Sequence, residues 1–421
     1  MAEKTNLSTK IEKQLPVELV EFMQAAGLVA ASQEQGLYLV GGVVRDLLLG
    51  RTNLDLDMVV EGNAIELAQR LAGTTRGKLI THPRFNTAKL RWDTWSVDFA
   101  TARSETYEKP GALPKVKPGS LASDLFRRDF TINAMAIELS HGRYGQLIDR
   151  HGGMDDLKHK LIRILHERSF IDDATRIWRG LRYEQRLDFQ LEANTLKLLK
   201  RDLPMLDTIS SDRIRHELEL VLREEFPEKA LRRAAELGVL PKLQPALKGD
   251  GWLAEKFGQA RKISSPNSPP VALYLALLSY RLNDKESEQL ISYLRLPKLL
   301  TRTLRDTDSL KTKLGLLTDL ELAPSKVYYL LHDYSPTAIT ANSIASDMPV
   351  ARQHIQAFLT RLRYVRPALT GNDLQKMGII PGPHMKEILQ RLHEARLDGE
   401  VTGKKGEEEL VKGGWIEGKE S

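Results

Sequence analysis

The chain has 421 residues, 41% hydrophobic and 28% charged, with a net charge of +6 and a pI near 9.2. Zero cysteines exclude disulfides, thiol nucleophiles and thiolate metal sites; no apolar run approaches a membrane span, and the polar opening MAEKTNLSTKIEKQ lacks a signal peptide's apolar core. A cytoplasmic protein with a polyanionic partner is the expectation.

The first third alternates short strands and helices. Leu37–Val40 is an apolar strand ended by Gly41-Gly42, and VVRDLLLG then reads as a helix of about two turns. Such a turn lets backbone approach a ligand closely. The helix opening at Val43 favours phosphate, and Arg45 in its first turn can pair with a phosphate oxygen. Next comes LDLDMVV, with a strand at Leu56–Val60. Asp55 and Asp57 are two apart, so on a strand both carboxylates project from one face. Buried side by side without partners they would be costly, and a divalent cation such as Mg²⁺ removes that cost beside the phosphates. A helix at Ala64–Gly73 and strands at Lys78–Thr81, Thr87–Arg91 and Ser96–Ala100 follow. Asp98, on the last strand, either completes the metal site or supports it. The plain alternative is a strand-turn-helix with steric glycines and exposed edge aspartates.

Residues 103–121 carry Pro110-Gly111, Pro114 and Pro118-Gly119, and read as a surface loop. DLFRRDFTINAMAIEL, residues 124–139, then supplies Arg127 and Arg128, an Asp129 suited to a ribose hydroxyl, and Asn133. It leads into a buried strand at Ala134–Leu139, near the sheet end where α/β folds place ligands. This alternation predicts an α/β or α+β domain.

From about Leu157 the periodicity is helical, in DDATRIWRGLRYEQRL, DRIRHELELVLREE and KALRRAAELGVLPKL. Breaks fall at KISSPNSPP (262–270) and GIIPGP (378–383), and the Gly-rich end should fray. On a helix, Asp173 and Arg176 share one face. Arg179, Arg182 and Arg186 extend it as a basic stripe, while Ile177 and Leu181 lie elsewhere. Such an Asp–Arg pair accepts from the amino group and donates to the ring nitrogen of cytosine or adenine, and uracil and guanine reverse that polarity. An ordinary i,i+3 ion pair with a solvated Arg face is the alternative.

LVGGVVRDLLLG with LDLD, VDFATARSETY, PGALPKV, RRDFTINAMA, DDATRIWRGLRY and SDRIRHELELVL together resemble the bacterial-type (class II) CCA-adding tRNA nucleotidyltransferases and their poly(A) polymerase relatives, over residues 37 to about 222. The stretch 371–402 resembles their C-terminal region. The resemblance implies an α+β fold: a polymerase-beta-like mixed-sheet head (1–155), then an all-helical neck (156–222), body (223–290) and tail (291–421), in a seahorse-like chain. It implies Mg²⁺ on Asp55 and Asp57, the triphosphate at Gly41, Gly42 and Arg45, and ribose and phosphates at Arg128 and Asp129. Asp173 and Arg176, with Arg179 on their face, would form an amino-acid template for C and A. Asp212, Arg213 and Glu217 would brace the neck. CTP, ATP and the tRNA 3′ end are the implied substrates. An A-only adder, a poly(A) polymerase and a non-catalytic RNA-binding protein are the alternatives. Two positions depart from the pattern, Asp172 and Asp212 standing where the family usually has Glu. In relatives the loop matching residues 103–121 is mobile and bears on the change from C to A addition.

Basic residues at Arg361, Arg363 and Arg366 around Tyr364, and at Lys298, Arg302 and Arg305, are candidate RNA contacts. The doublet His332-Asp333 lacks the further ligands of a metal-dependent hydrolase and reads as structural.

Overall fold

The computed structural model describes residues 5–416. Two compact units form: one runs to Val221 and takes in Glu236–Lys242, and the other comprises Leu222–Ala235 and the chain from Leu243 on.

In the first unit, α1 (Ser8–Gln14) and α2 (Val17–Ala31) precede the sheet. The strands are β1 (Gly36–Val40), β2 (Leu56–Glu61), β3 (Lys78–His82), β4 (Thr87–Trp92), β5 (Trp95–Thr101), β6 (Arg103–Thr106), β7 (Lys115–Pro118), β8 (Met135–Glu138) and β9 (Leu147–Asp149). Seven of them make a mixed sheet in the order β3-β4-β5-β2-β1-β8-β9, with β2 and β5 parallel. The expected strands form close to their expected bounds, with α3 (Gly42–Leu48) and α4 (Ala64–Thr75) where helices were read. Asn63 caps α4 by accepting from the Ile65 and Glu66 N–H groups, which fixes where that helix starts.

Strand alternation then decides what faces the site. Val40 pairs with Asp57, and Tyr38 with Val59, so these four side chains share a face. Tyr38, Val40 and Val59 are buried there against Leu121 and Leu125 of α5 (Leu121–Phe126). Asp57 lies at the uncovered end of that face and is exposed. On the opposite face Phe99 packs against Phe22 of α2, with ring centroids 6.4 Å apart.

Residues 103–121 are not the irregular loop expected: β6 and β7 pair as an antiparallel hairpin, from Arg103 opposite Pro118 to Thr106 opposite Lys115. Its tip rests on a 3₁₀ turn at Leu203–Thr208. Gly111, at φ +72°, approaches so closely that a Cβ would lie 2.4 Å from the Thr208 carbonyl oxygen.

Helices α6 (Gly153–Lys158), α7 (Ser169–Asp172), α8 (Thr175–Leu187), α9 (Ala193–Arg201) and α10 (Ser211–Leu222) follow, with two short strands, β10 (Leu161–Ile162) and β11 (Gln190–Leu191), paired in parallel. Ile177, Trp178 and Leu181 are the buried stripe of α8.

The second unit is helical, from Pro227–Glu236 and Gly251–Ser264 to Gly403–Val411. Leu310, Leu331, Ile339 and Ile355 anchor one buried cluster; Leu374, Ile388, Leu392 and Val411 anchor another. Both Pro-rich breaks separate helices as expected. The fraying expected at the end concerns residues outside those described. Among the described residues no helix is long and apolar enough to cross a membrane.

Candidate active site

Gly41, at φ +78°, turns the chain from β1 into α3. A Cβ there would lie 3.0 Å from Arg128 Nη1 and 3.8 Å from Asp57 Oδ2, so the missing side chain lets cation and carboxylate meet beside the turn. A cavity of about 740 Å³ opens at this point. Ten sequence-predicted site residues border it: Gly41, Gly42 and Arg45; Asp55 and Asp57; Arg128 and Asp129; Asp173, Arg176 and Arg179.

Asp55 precedes β2 rather than lying on it, and both aspartates are exposed at the cavity instead of buried. Asn53 sets Asp55, accepting from its N–H at 3.0 Å while donating to Asp46 at 2.7 Å. The cavity walls strip water from Asp57, and neighbouring Asp55 adds repulsion. Arg128 offsets part of this, and the carboxyl is pushed up to about 6. Two adjacent carboxylates, one strained in this way, fit a hard divalent cation that takes its other ligands from phosphates and water. Among the described residues no group of three or more His, Cys, Asp or Glu side chains is placed to hold a metal ion. Asp98 pairs with Lys89 at 2.8 Å and does not border this cavity.

Arg45 differs from expectation. Its guanidinium is buried and donates to both Asp46 oxygens at 2.9 Å and to Asn133 at 2.7 Å, so it organises the wall instead of reaching outward. Asp129 differs likewise. Its Oδ1 accepts from the Phe130 N–H and from Asn133, and its Oδ2 accepts twice from Arg179, at 2.9 and 2.6 Å. With about four acceptor positions on a carboxylate, none is left for a ribose hydroxyl. Burial alone would raise Asp129; Arg179 and Asn133 outweigh it and hold the carboxyl at about 2.

Asp173 and Arg176 are not an i,i+3 pair on one helix. α7 ends at Asp172, Asp173 is extended at φ −145°, and α8 begins at Thr175. Asp173 accepts from the Thr175 N–H and hydroxyl at the start of the new helix, and both its oxygens lie 2.7 Å from Arg213 Nη2. Arg176 donates to the carbonyls of Ser169 and Arg127. Of the expected braces, Arg213 is one. Asp212 is 62% exposed at its side chain and pairs with Arg215 on the surface. Asp172 meets Arg168 at 3.4 Å.

Sequence reasoning missed Tyr183 and Glu105. Tyr183 packs edge-on to Phe130 and lies under the guanidinium groups of Arg45, Arg179 and Arg182, at 5.0–5.7 Å from the ring centre. Its place four residues after Arg179 was the available signal. Glu105 accepts from Arg103, Arg127 and the Tyr107 hydroxyl, tying β6 to Arg127. No local pattern announced it.

In the second unit Tyr364 is 65% exposed, with Arg363 over its ring, while Arg305 is held by Glu288 at 2.6 Å. His332 stacks on Tyr328 with ring centroids 5.2 Å apart.

A mixed sheet with a glycine turn, a carboxylate pair at its open end and a helical wall facing it defines the nucleotidyltransferase fold. Residues 37–163 match the family model described as the poly A polymerase head domain, and 188–250 one described as a probable RNA and SrmB-binding site of polymerase A. Relatives include A-adding tRNA nucleotidyltransferases of Geobacter sulfurreducens (34% identical; 93% of this chain, 46% of that one) and Halalkalibacterium halodurans (32%; 95% and 93%). The chain thus spans about half the length of the Geobacter relative. A Thermotoga maritima CCA-adding enzyme, solved in complex with tRNA, superposes with a TM-score of 0.78 at 30% identity, covering 98% of this chain and all of that one. The chain belongs to the family of class II tRNA nucleotidyltransferases and bacterial poly(A) polymerases.

Proposed function

We propose that the protein builds the 3′ CCA end of tRNA, transferring CMP and AMP from CTP and ATP to the terminal hydroxyl and releasing pyrophosphate. The observation that carries this is one cavity bordered both by Asp55 and Asp57 and by Asp173 and Arg176. A cavity of that volume accommodates a nucleoside triphosphate with its phosphates at the carboxylates and its base at the Asp–Arg pair. Gly41 leaves room for the phosphates, and Arg128 faces them. Mg²⁺ held by Asp55 and Asp57 would neutralise phosphate charge and polarise the phosphorus for in-line attack. Asp173, fixed by Arg213, accepts from the base amino group while Arg176 donates to the ring nitrogen. The division into head 1–155, neck 156–222, body 223–290 and tail 291–421 belongs to this reading, with basic residues of the tail gripping RNA phosphates.

A second reading, addition of A alone, is favoured by the names of the Geobacter and Halalkalibacterium relatives. Transcripts ending before CCA, after one C and after CC, each given Mg²⁺ with CTP, ATP or both, decide between the two. Stepwise completion of all three supports the first. Extension of the CC-ended transcript alone, and only with ATP, supports the second.

A further inference from the structure

Asp124 lies in the first turn of α5 and is fully buried. Leu121 and Leu125 of the same helix pack into the apolar cluster on the sheet, which fixes the backbone that carries it. Arg127 and Arg128 follow three and four positions later, a spacing that brings both guanidinium groups back to one carboxylate. Asp124 Oδ1 accepts from Arg127 Nε at 2.9 Å and Nη2 at 2.7 Å, and Oδ2 accepts from Arg128 Nη2 at 3.0 Å. Burial alone would raise the Asp124 carboxyl; Arg128 and Arg127 outweigh it and hold it below its ordinary value. The two cations depend on Asp124 unequally. Arg127 also donates to Glu105 at 3.2 Å. Among the described residues Asp124 is the one side chain that pairs with the Arg128 guanidinium. The Arg128 Nε is buried with no acceptor, and Nη1 stands beside the Gly41 turn.

The geometry points to Asp124 as a positioning residue for nucleotide transfer: it moors Arg128 so that Nη1 faces the triphosphate instead of folding onto Asp57. Asp124 itself does not border the cavity, so its effect on a substrate passes through the arginines. A free arginine side chain samples many rotamers, and a buried carboxylate that selects one beforehand removes that ordering cost from binding. It also settles a competition. A Cβ on Gly41 would lie 3.0 Å from Arg128 Nη1 and 3.8 Å from Asp57 Oδ2, so an unmoored guanidinium has an exposed carboxylate within easy reach. Pairing there would withdraw the cation from phosphate and Asp57 from a divalent ion at once. Held at Oδ2 of Asp124, Arg128 stays near the phosphates and Asp57 stays open.

The assignment rests on the nucleotide-transfer reading, and the test separates the two. Calorimetric binding of ATP and of adenosine, and kcat/KM for ATP on a CC-ended transcript, are measured for wild type, Asp124→Asn, Arg128→Ala and the double variant. Expected for Asp124→Asn, which keeps the side-chain volume, is a loss of roughly tenfold in ATP affinity and in kcat/KM, the scale of one hydrogen bond to a charged group. Adenosine, which carries no phosphate, should bind within about twofold of wild type. In the Arg128→Ala background the same substitution should cost no more than about twofold, because Arg127 retains Glu105. Equal losses in the two backgrounds, or an equal loss for adenosine, would make Asp124 a brace of the fold and overturn the assignment, as would ATP binding unchanged in Asp124→Asn. If Asp124→Asn does not fold, Asp124→Glu, which keeps the charge and moves it by one methylene, takes its place in the same cycle. A wild type that binds ATP without transferring it sinks the transfer reading, and the binding cycle still decides Asp124. A wild type that does not bind ATP overturns both.

Discussion

Arg213 Nη2 lies 2.7 Å from both carboxylate oxygens of Asp173, across forty positions of sequence. The acidic half of the Asp–Arg pair is therefore aimed jointly by Arg213 of α10 and by Thr175 at the start of α8. Removing that guanidinium leaves Oδ2 of Asp173 without its Arg213 donor and only Oδ1 held, by Thr175. Arg213→Ala is expected to lower kcat/KM for ATP by roughly tenfold, the value of a charge-assisted hydrogen bond, and to raise relative incorporation of UTP and GTP. Single-nucleotide extension with each of the four triphosphates measures both effects. An unchanged base preference would remove Arg213 from specificity.

At Gly41 a side chain meets two obstacles, a φ of +78° and Arg128 Nη1 at 3.0 Å from the new Cβ. Gly41→Ala should cost about 1–2 kcal/mol of stability from the left-handed backbone and, in addition, at least tenfold in kcat/KM for ATP. Gly50 has a φ of +70° and nothing within 4 Å of a Cβ, so Gly50→Ala should show the backbone cost alone. Thermal melts and steady-state kinetics on the two variants separate strain from crowding.

The Asp57 carboxyl stands at about 6, above its ordinary 3.8. The folded protein thus binds this proton more tightly than the unfolded chain does, and the group subtracts stability as pH rises from about 4 through about 6. Asp57→Asn should melt no lower than wild type at neutral pH without divalent cations, and Mg²⁺ should raise the melting temperature of wild type alone. Transfer activity should be abolished. A Mg²⁺-dependent rise that persists in Asp57→Asn would place the cation elsewhere.

Asp129 behaves with the opposite sign. Held at about 2, its carboxyl adds stability above about pH 4 that is lost as pH falls toward about 2. Asp129→Asn should destabilise by about 2 kcal/mol near neutrality, since Arg179 loses its main partner, and the gap to wild type should close in acid. Urea unfolding at several pH values follows it; a constant gap would mean that the ion pair is not its source.

The sheet was legible because β1, β2, β4 and β5 are apolar at alternate positions or throughout, a pattern that few other structures tolerate. The cavity was legible through Gly41, Asp55, Asp57 and the Asp–Arg spacing, residue types whose chemistry narrows their uses. The hairpin of β6 and β7 was not, because Val116 and Pro118 are the only apolar side chains of its strands and its pairing comes from backbone. Nor was the break at Asp173: the 3.6-residue pattern runs straight through it, and only the extended backbone at Asp173 shows that two helices meet there. Arg45 and Asp129 border the cavity, and both are held by neighbours that no local pattern announces. Sequence tells which groups can bind a phosphate or a sugar, and distant partners such as Asn133 and Arg179 decide whether they are free to.

The Glu105–Arg127 contact couples two parts of the site. Glu105 sits on β6, holds Arg127, and the Arg127 carbonyl receives Arg176. The hairpin and Arg176 of α8 are therefore linked through a single residue. A shift of the hairpin is thereby passed to the Arg176 guanidinium, with no separate element in between.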